Sequence, residues 1–142
     1  MIKYSVFSIS NELYALEMSM VKEVLNAPRV ARLPNAASYI LGVYNLRGRI
    51  ITLIDIRQLL GKTPAENERT GMVLLIGDNG SAISFLVDKI NDFIEVDETK
   101  IRKKRSDSNQ TDQVCLLGNY KHEKLGNLIL IDAQRLLKFE KR

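Results

Sequence analysis

Two segments of this 142-residue chain repeat each other, and this repeat constrains the fold more than any other feature. Residues 52–60 spell TLIDIRQLL and residues 129–137 spell ILIDAQRLL, so five of nine positions are identical at an offset of 77. Strand–Asp–helix pieces also recur by chance, which is the alternative explanation. A second offset of 69 favours two similar units, because it aligns further apolar pairs: Phe7 with Ile76, Leu16 with Phe85, Val21 with Ile90 and Leu25 with Ile94.

Short strands dominate both units. The runs Tyr4–Ser10 and Leu13–Met18 flank a polar turn, which is the pattern of a β-hairpin. Val43–Leu46 and Arg49–Ile54 form a second predicted hairpin, in which Gly48 supplies the positive φ of a tight turn. The second unit has matching predicted strands at Met72–Ile76, Ala82–Val87 and Leu128–Ile131.

Helical segments are predicted to be few and short. Asp55 and Asp132 stand where a side chain caps the helices predicted at Ile56–Leu60 and Ala133–Leu137. Asn35–Leu41 has room for one helical turn. The apolar run that begins at Val21 is compatible with either a helical turn or a third strand.

The predicted fold class is therefore mainly β. About five short antiparallel strands per unit indicate small β-barrels, since closure removes exposed edges. Each barrel alone would be marginally stable, so we expect the two to share a hydrophobic core with one or two short helices. The polar segment Lys62–Gly71 is a predicted linker, which sets an approximate boundary at residue 66 between subdomains 1–66 and 67–142.

The residues that usually carry chemistry are scarce. The single Cys and single His exclude an intramolecular disulfide and the usual zinc ligand sets. Cys115 lies in an apolar run and is predicted to be buried, whereas His122 is predicted to lie in a solvated loop. We predict no catalytic residue, no metal site and no cofactor.

No segment of the chain has the pattern of a membrane span or of a signal peptide. A net charge of +4 and the basic run Arg102–Arg105 leave open a small-barrel nucleic-acid binder as the competing class. A solvated loop is the favoured interpretation of that run, because no aromatic residue interleaves with it. An enzyme ranks third.

The remaining sequence features indicate a surface that binds other proteins. Arg47 is predicted to project from the Asn45–Gly48 hairpin turn, with its five donors available to a carboxylate or carbonyl. Met18, Met20, Val21 and Val24 form an apolar cluster that is either core or partner surface, and Glu23 lies among them as an isolated acid.

The sequence resembles the CheW-like domain family. The resemblance rests on VKEV (21–24), Leu33-Pro34, YILGVYNLRG (39–48), IITLIDIR (50–57) and FLVDKINDFI (85–94), and it covers nearly the whole chain. No receiver or kinase segment is left over, which favours a stand-alone coupling protein over a domain of a larger kinase. The family resemblance implies two intertwined five-stranded barrels similar to SH3 folds.

The resemblance also implies a function. Family members are adaptors that couple the cytoplasmic helical tips of methyl-accepting chemoreceptors to the regulatory domain of the CheA histidine kinase. We therefore expect a cytoplasmic protein that is recruited to membrane receptor arrays, without membrane insertion and without nucleic acid. Carried over by position, the receptor-binding set is Arg47, Glu23, Asn45, Gly42 and Phe93, and the kinase-binding set is Val21, Met20, Val24 and Met72. Met72 and Phe93 stand where the family usually has valine, and the resemblance assigns no role to the basic loop Arg102–Arg105.

Overall fold

A computed structural model describes residues 1–64, 71–78, 80–103 and 115–141. The strands are β1 Ile2–Ile9, β2 Glu12–Glu17, β3 Val21–Asn26, β4 Ile40–Leu46, β5 Arg49–Ile54, β6 Met72–Gly77, β7 Ala82–Val87, β8 Lys89–Val96, β9 Arg102–Lys103, β10 Leu116–His122 and β11 Gly126–Ile131. The helices are α1 Ile56–Leu59 and α2 Ala133–Leu137, with 3-10 segments at Met18–Met20, Glu98–Lys100 and Lys138–Lys141. The mainly β prediction is confirmed.

The strands form two sheets that exchange strands between the repeats. The six-stranded sheet has the order β8-β1-β2-β11-β10-β9, and the five-stranded sheet has the order β3-β6-β7-β5-β4. The repeat pairs β3 with β8, β6 with β1, β7 with β2, β5 with β11 and β4 with β10. With these pairs, the order of the five-stranded sheet matches the first five strands of the six-stranded sheet. Each sheet therefore takes one hairpin from one repeat and its remaining strands from the other.

Each exchanged hairpin is joined to the rest of its sheet by a parallel strand pairing. In the five-stranded sheet Leu53 on β5 pairs with Ser84 on β7. In the six-stranded sheet the counterpart residues Leu130 and Ala15 pair in the same way between β11 and β2. The predicted boundary near residue 66 falls outside the described residues and stays a prediction.

Among the described strands neither sheet closes into a barrel, although the architecture is consistent with SH3-like units. Between β3 and β4 the chain carries Pro28 and Pro34, which lack a backbone donor, and only Ala31 forms a bridge to Val43. Asn35–Leu41, where the sequence has room for one helical turn, forms no helix, and the structure has there a turn in which the Ile40 amide donates to the Ala37 carbonyl at 2.9 Å. Asn35 has a φ of +60°, outside the right-handed helical region, and β4 begins at Ile40.

The described residues form three apolar clusters. One lies against each sheet, and the third lies between the sheets and confirms the predicted shared core. In the shared core the rings of Phe7 and Phe85, one from each sheet, have centroids 5.6 Å apart. α1 and α2 close over this core, and Asp55 and Asp132 cap them through backbone amides, as predicted.

One buried polar contact has no counterpart in the other sheet. The Tyr44 hydroxyl donates to Ser84 Oγ at 2.9 Å, and Ser84 Oγ donates to the Thr52 carbonyl at 2.9 Å. Ser84 is fully buried, and the counterpart position in the six-stranded sheet is Ala15. Burial raises the pKa of Tyr44, although the hydrogen bond to Ser84 partly opposes this.

The Ser84→Ala substitution is expected to lower the free energy of unfolding by about 1–3 kcal/mol, because the buried Tyr44 hydroxyl would lose its acceptor. Adding Tyr44→Phe to that variant should cost less than Tyr44→Phe does in the native chain. Urea denaturation of the four proteins measures this coupling. Additive losses, or a Ser84→Ala protein as stable as the native one, would contradict this account.

Candidate partner-binding surface

The turn between β4 and β5 presents Arg47 to solvent. Arg47 and Gly48 have φ angles of +51° and +87°, which confirms the predicted positive φ at Gly48. Asn45 Oδ1 accepts a hydrogen bond from the Gly48 amide at 2.9 Å and so fixes the turn. The Arg47 side chain is 68% exposed.

Arg47 is paired with Glu23 through a two-pronged contact. Arg47 Nη1 donates to Glu23 Oε1 at 3.2 Å, and Nη2 donates to Glu23 Oε2. The interpretation of Glu23 as an isolated acid is therefore wrong. β3 and β4 are opposite edges of the five-stranded sheet, so the pair spans the gap between those edges.

The contact changes the ionisation of both partners. The hydrogen bond from Arg47, supported by its positive charge, lowers the pKa of the Glu23 carboxyl. The same bond raises the pKa of Arg47. Arg47 is exposed and Glu23 is partly exposed, so solvent screens the pair and its contribution to global stability is small.

A cavity of about 440 Å³ opens beside this pair, between β3, the β4–β5 turn and the β6–β7 turn of the five-stranded sheet. Its rim combines charges of both signs, from Lys22, Glu23, Arg47, Arg49 and Asp78, over a floor of Leu46, Ile51, Leu75 and Ala82. Arg49 Nη2 donates to the Gly80 carbonyl at 2.7 Å, which ties the β4–β5 turn to the β6–β7 turn. Arg49 was not among the residues predicted from the sequence, although it directly follows the Arg47-Gly48 turn.

Gly42 has a structural role that the sequence did not reveal. A Cβ at Gly42 would lie 2.5 Å from the Ala31 carbonyl oxygen, because the chain crosses β4 there. Gly118 on β10 is in the same situation, since a Cβ there would lie 2.2 Å from the Arg102 carbonyl oxygen. Gly42 is also buried, so it shapes the hairpin that carries Arg47 rather than forming its exposed face.

Phe93 lies on a different sheet from the Arg47–Glu23 pair. It is 46% exposed on β8, an edge strand of the six-stranded sheet. Lys3 Nζ lies 5.2 Å from its ring centroid, within the range of a cation–π contact. Its counterpart at the offset of 69 is Val24, on the equivalent edge strand β3.

The apolar cluster around β3 divides into core and surface. Met20 is only 7% exposed, and Val21 and Met72 pack against the shared core. Val24 is 44% exposed and Met18 is 40% exposed. Of the four residues in the kinase-binding set, Val24 therefore presents the most accessible apolar surface.

One further exposed apolar residue was missed by the sequence analysis. Ile50 on β5 is 61% exposed, directly opposite Asn45 in the β4–β5 ladder. The strand pattern hid it, because alternation assigns the adjacent Arg49 and Ile50 to opposite faces, whereas both are exposed at the hairpin end.

Cys115 is buried, as the sequence predicts. Burial raises the pKa of the Cys115 thiol to about 12, so it is an inert apolar side chain. Within the described ranges, no three His, Cys, Asp or Glu side chains are grouped to hold a metal ion. No helix in the described part of the chain is long and apolar enough to cross a bilayer.

The Arg47→Ala substitution is expected to raise the pKa of Glu23 towards the ordinary carboxyl value, because the hydrogen bond from Arg47 is the main cause of its lowering. A carboxyl whose pKa is lowered by folding favours the folded state above its unfolded pKa, and this contribution is lost as the pH falls through the folded value. Carboxyl carbon NMR titration measures the shift. Arg49→Ala is the matched control, and an unchanged Glu23 titration in Arg47→Ala would refute the pairing.

Comparison with known proteins gives a consistent result. The chain is 31% identical over 99 residues to the chemotaxis protein CheW of Bacillus subtilis, which covers 70% of this chain and 64% of that protein. It is 27% identical over 142 residues to CheW of Klebsiella aerogenes, covering 97% of this chain and 82% of that protein.

A solved structure is similar over almost the whole fold. The scaffolding protein TtCheW of Thermoanaerobacter tengcongensis superposes with a TM-score of 0.80 at 27% identity, covering 92% of this chain and 88% of that one. The family model described as a CheW-like domain matches residues 3–141. The chain therefore belongs to the CheW-like domain family.

Proposed function

We propose that this protein is a chemotaxis scaffold that couples the cytoplasmic tips of methyl-accepting chemoreceptors to the regulatory domain of a CheA-type histidine kinase. The named relatives are chemotaxis proteins, and the similar solved structure is titled a scaffolding protein. Family membership also confirms the prediction of a non-enzymatic protein. The observation that carries the proposal is the exposed Arg47–Glu23 pair at the rim of an open cavity.

The receptor contact is proposed to centre on Arg47. Its guanidinium is exposed, held on a fixed turn and already bound to one carboxylate, so a carboxylate fits its donor geometry. Asn45 and Gly42 contribute by shaping the hairpin, and Glu23 by orienting Arg47. Phe93 would form a separate part of the contact, because it lies on the other sheet.

The kinase contact is proposed to lie along β3. Val24 is its exposed centre, whereas Met20, Val21 and Met72 support the strand from the core side. β3 is an edge strand, where a partner can approach without displacing another strand. Glu23 and Val24 are adjacent, so the two proposed contacts meet on one strand.

Coupling in this proposal is purely a matter of binding. A scaffold transmits a receptor's state to a kinase only when both contacts favour the same arrangement of the complex. The protein is proposed to act in the cytoplasm, recruited to receptor arrays at the membrane. Of the basic run that suggested nucleic-acid binding, the described residues Arg102 and Lys103 form β9, and no observation favours that alternative.

Arg47→Ala is expected to weaken binding to a receptor tip fragment at least tenfold, as expected for one charge-assisted hydrogen bond, with kinase affinity nearly unchanged. Val24→Asp should show the opposite pattern, because it places a charge in the proposed apolar kinase contact. Calorimetry with the receptor fragment and the kinase regulatory domain separately measures both affinities.

Matched controls exist elsewhere in the chain. Arg135→Ala removes an exposed arginine paired with Asp132, and Leu125→Asp adds a charge at another exposed apolar site. Both should leave the two affinities unchanged. A folded Arg47→Ala protein with native receptor affinity would refute the receptor assignment, and equal losses for both partners in Val24→Asp would refute the kinase assignment.

A further inference from the structure

The β10–β11 hairpin is the counterpart of the hairpin that carries Arg47, and each turn is held by one side-chain acceptor. In the β4–β5 turn Asn45 Oδ1 accepts from the Gly48 amide at 2.9 Å. In the β10–β11 turn His122 Nδ1 accepts from the amides of Lys124 at 3.2 Å and Leu125 at 3.1 Å. The two turns thus use the same contact, but only one acceptor can be titrated.

The hydrogen bonds require a particular form of the imidazole. A ring nitrogen accepts a hydrogen bond only while it carries no proton, so His122 must be neutral with its proton on Nε2. In the imidazolium form both ring nitrogens are donors. Nδ1–H would then face the amide donors of Lys124 and Leu125, and both hydrogen bonds would be lost.

We propose that His122 is a proton-operated latch on the β10–β11 turn. The neutral imidazole holds the amides of Lys124 and Leu125, and proton uptake releases them and loosens the turn. Histidine is the side chain that ordinarily changes charge between about pH 5 and 8. The latch lies at a turn whose Leu125 side chain is exposed.

On β10 and its turn the charged residues beside the latch are Lys121, Glu123 and Lys124. On the neighbouring strand β11 the residues opposite His122 and Lys121 are uncharged, because His122 pairs with Gly126 and Lys121 pairs with Asn127. On the other side β9 pairs with Gly118 and Asn119, towards the opposite end of β10.

The test compares the native protein with two variants of the same residue. His122→Asn puts a non-titrating amide oxygen at the position of Nδ1, as Asn45 does in the counterpart turn. His122→Ala removes the acceptor altogether. Long-range nitrogen NMR reports the tautomer, and amide exchange, expressed as protection factors, reports the two hydrogen bonds between pH 5 and 8.

We expect Nδ1 to be unprotonated at pH 8 in the native protein. Protection of Lys124 and Leu125 should fall roughly tenfold as the imidazole takes up its proton, while Gly48 stays unchanged. His122→Asn should keep its protection at every pH, and His122→Ala should lack it at every pH. A proton on Nδ1 at pH 8, protection that survives protonation, or protection in His122→Ala equal to that of the native protein would overturn the latch.

Discussion

The reciprocal exchange of hairpins is the constraint on which the rest of the structure depends. The β1–β2 hairpin completes the sheet built mostly from the second repeat, and the β6–β7 hairpin completes the sheet built from the first. Short parallel pairings, β2 with β11 and β5 with β7, make both joins. Since the shared core lies between these sheets, neither repeat can bury its apolar residues without the other.

This arrangement gives the proposed scaffold its geometry. The exchange fixes β3 and β8 as equivalent edges of two sheets, with Val24 and Phe93 exposed at equivalent positions. The Arg47–Glu23 pair then spans the two edges of the five-stranded sheet and places a charged turn beside the Val24 edge. In the proposed function the two partners would therefore contact neighbouring sites on one sheet.

The sequence predicted the features that depend on local pattern and missed those that depend on long-range contacts. Seven of the eleven described strands, the helix caps and the Arg47 turn follow from periodicity, Asp placement and Gly48, whereas β8, β9 and β10 were not predicted and β3 was left open. The partner of Glu23 could not be predicted, because it lies 24 residues away across a sheet. The exposure of Val24 required the strand assignment that the sequence left open, because β3 alternates regularly between half-buried and exposed residues and Val24 lies on the exposed face. The constraint at Gly42 comes from a chain crossing that leaves no local signal.

The most direct test of the exchanged architecture is to divide the chain at the predicted boundary and study residues 1–66 and 67–142 separately and together. Amide protection measured by NMR should be absent from each fragment alone, because each sheet needs strands from both. Mixing the fragments should restore protection in β2, β5, β7 and β11 with the native pattern of chemical shifts. A fragment that shows stable protection and cooperative unfolding by itself would contradict the account.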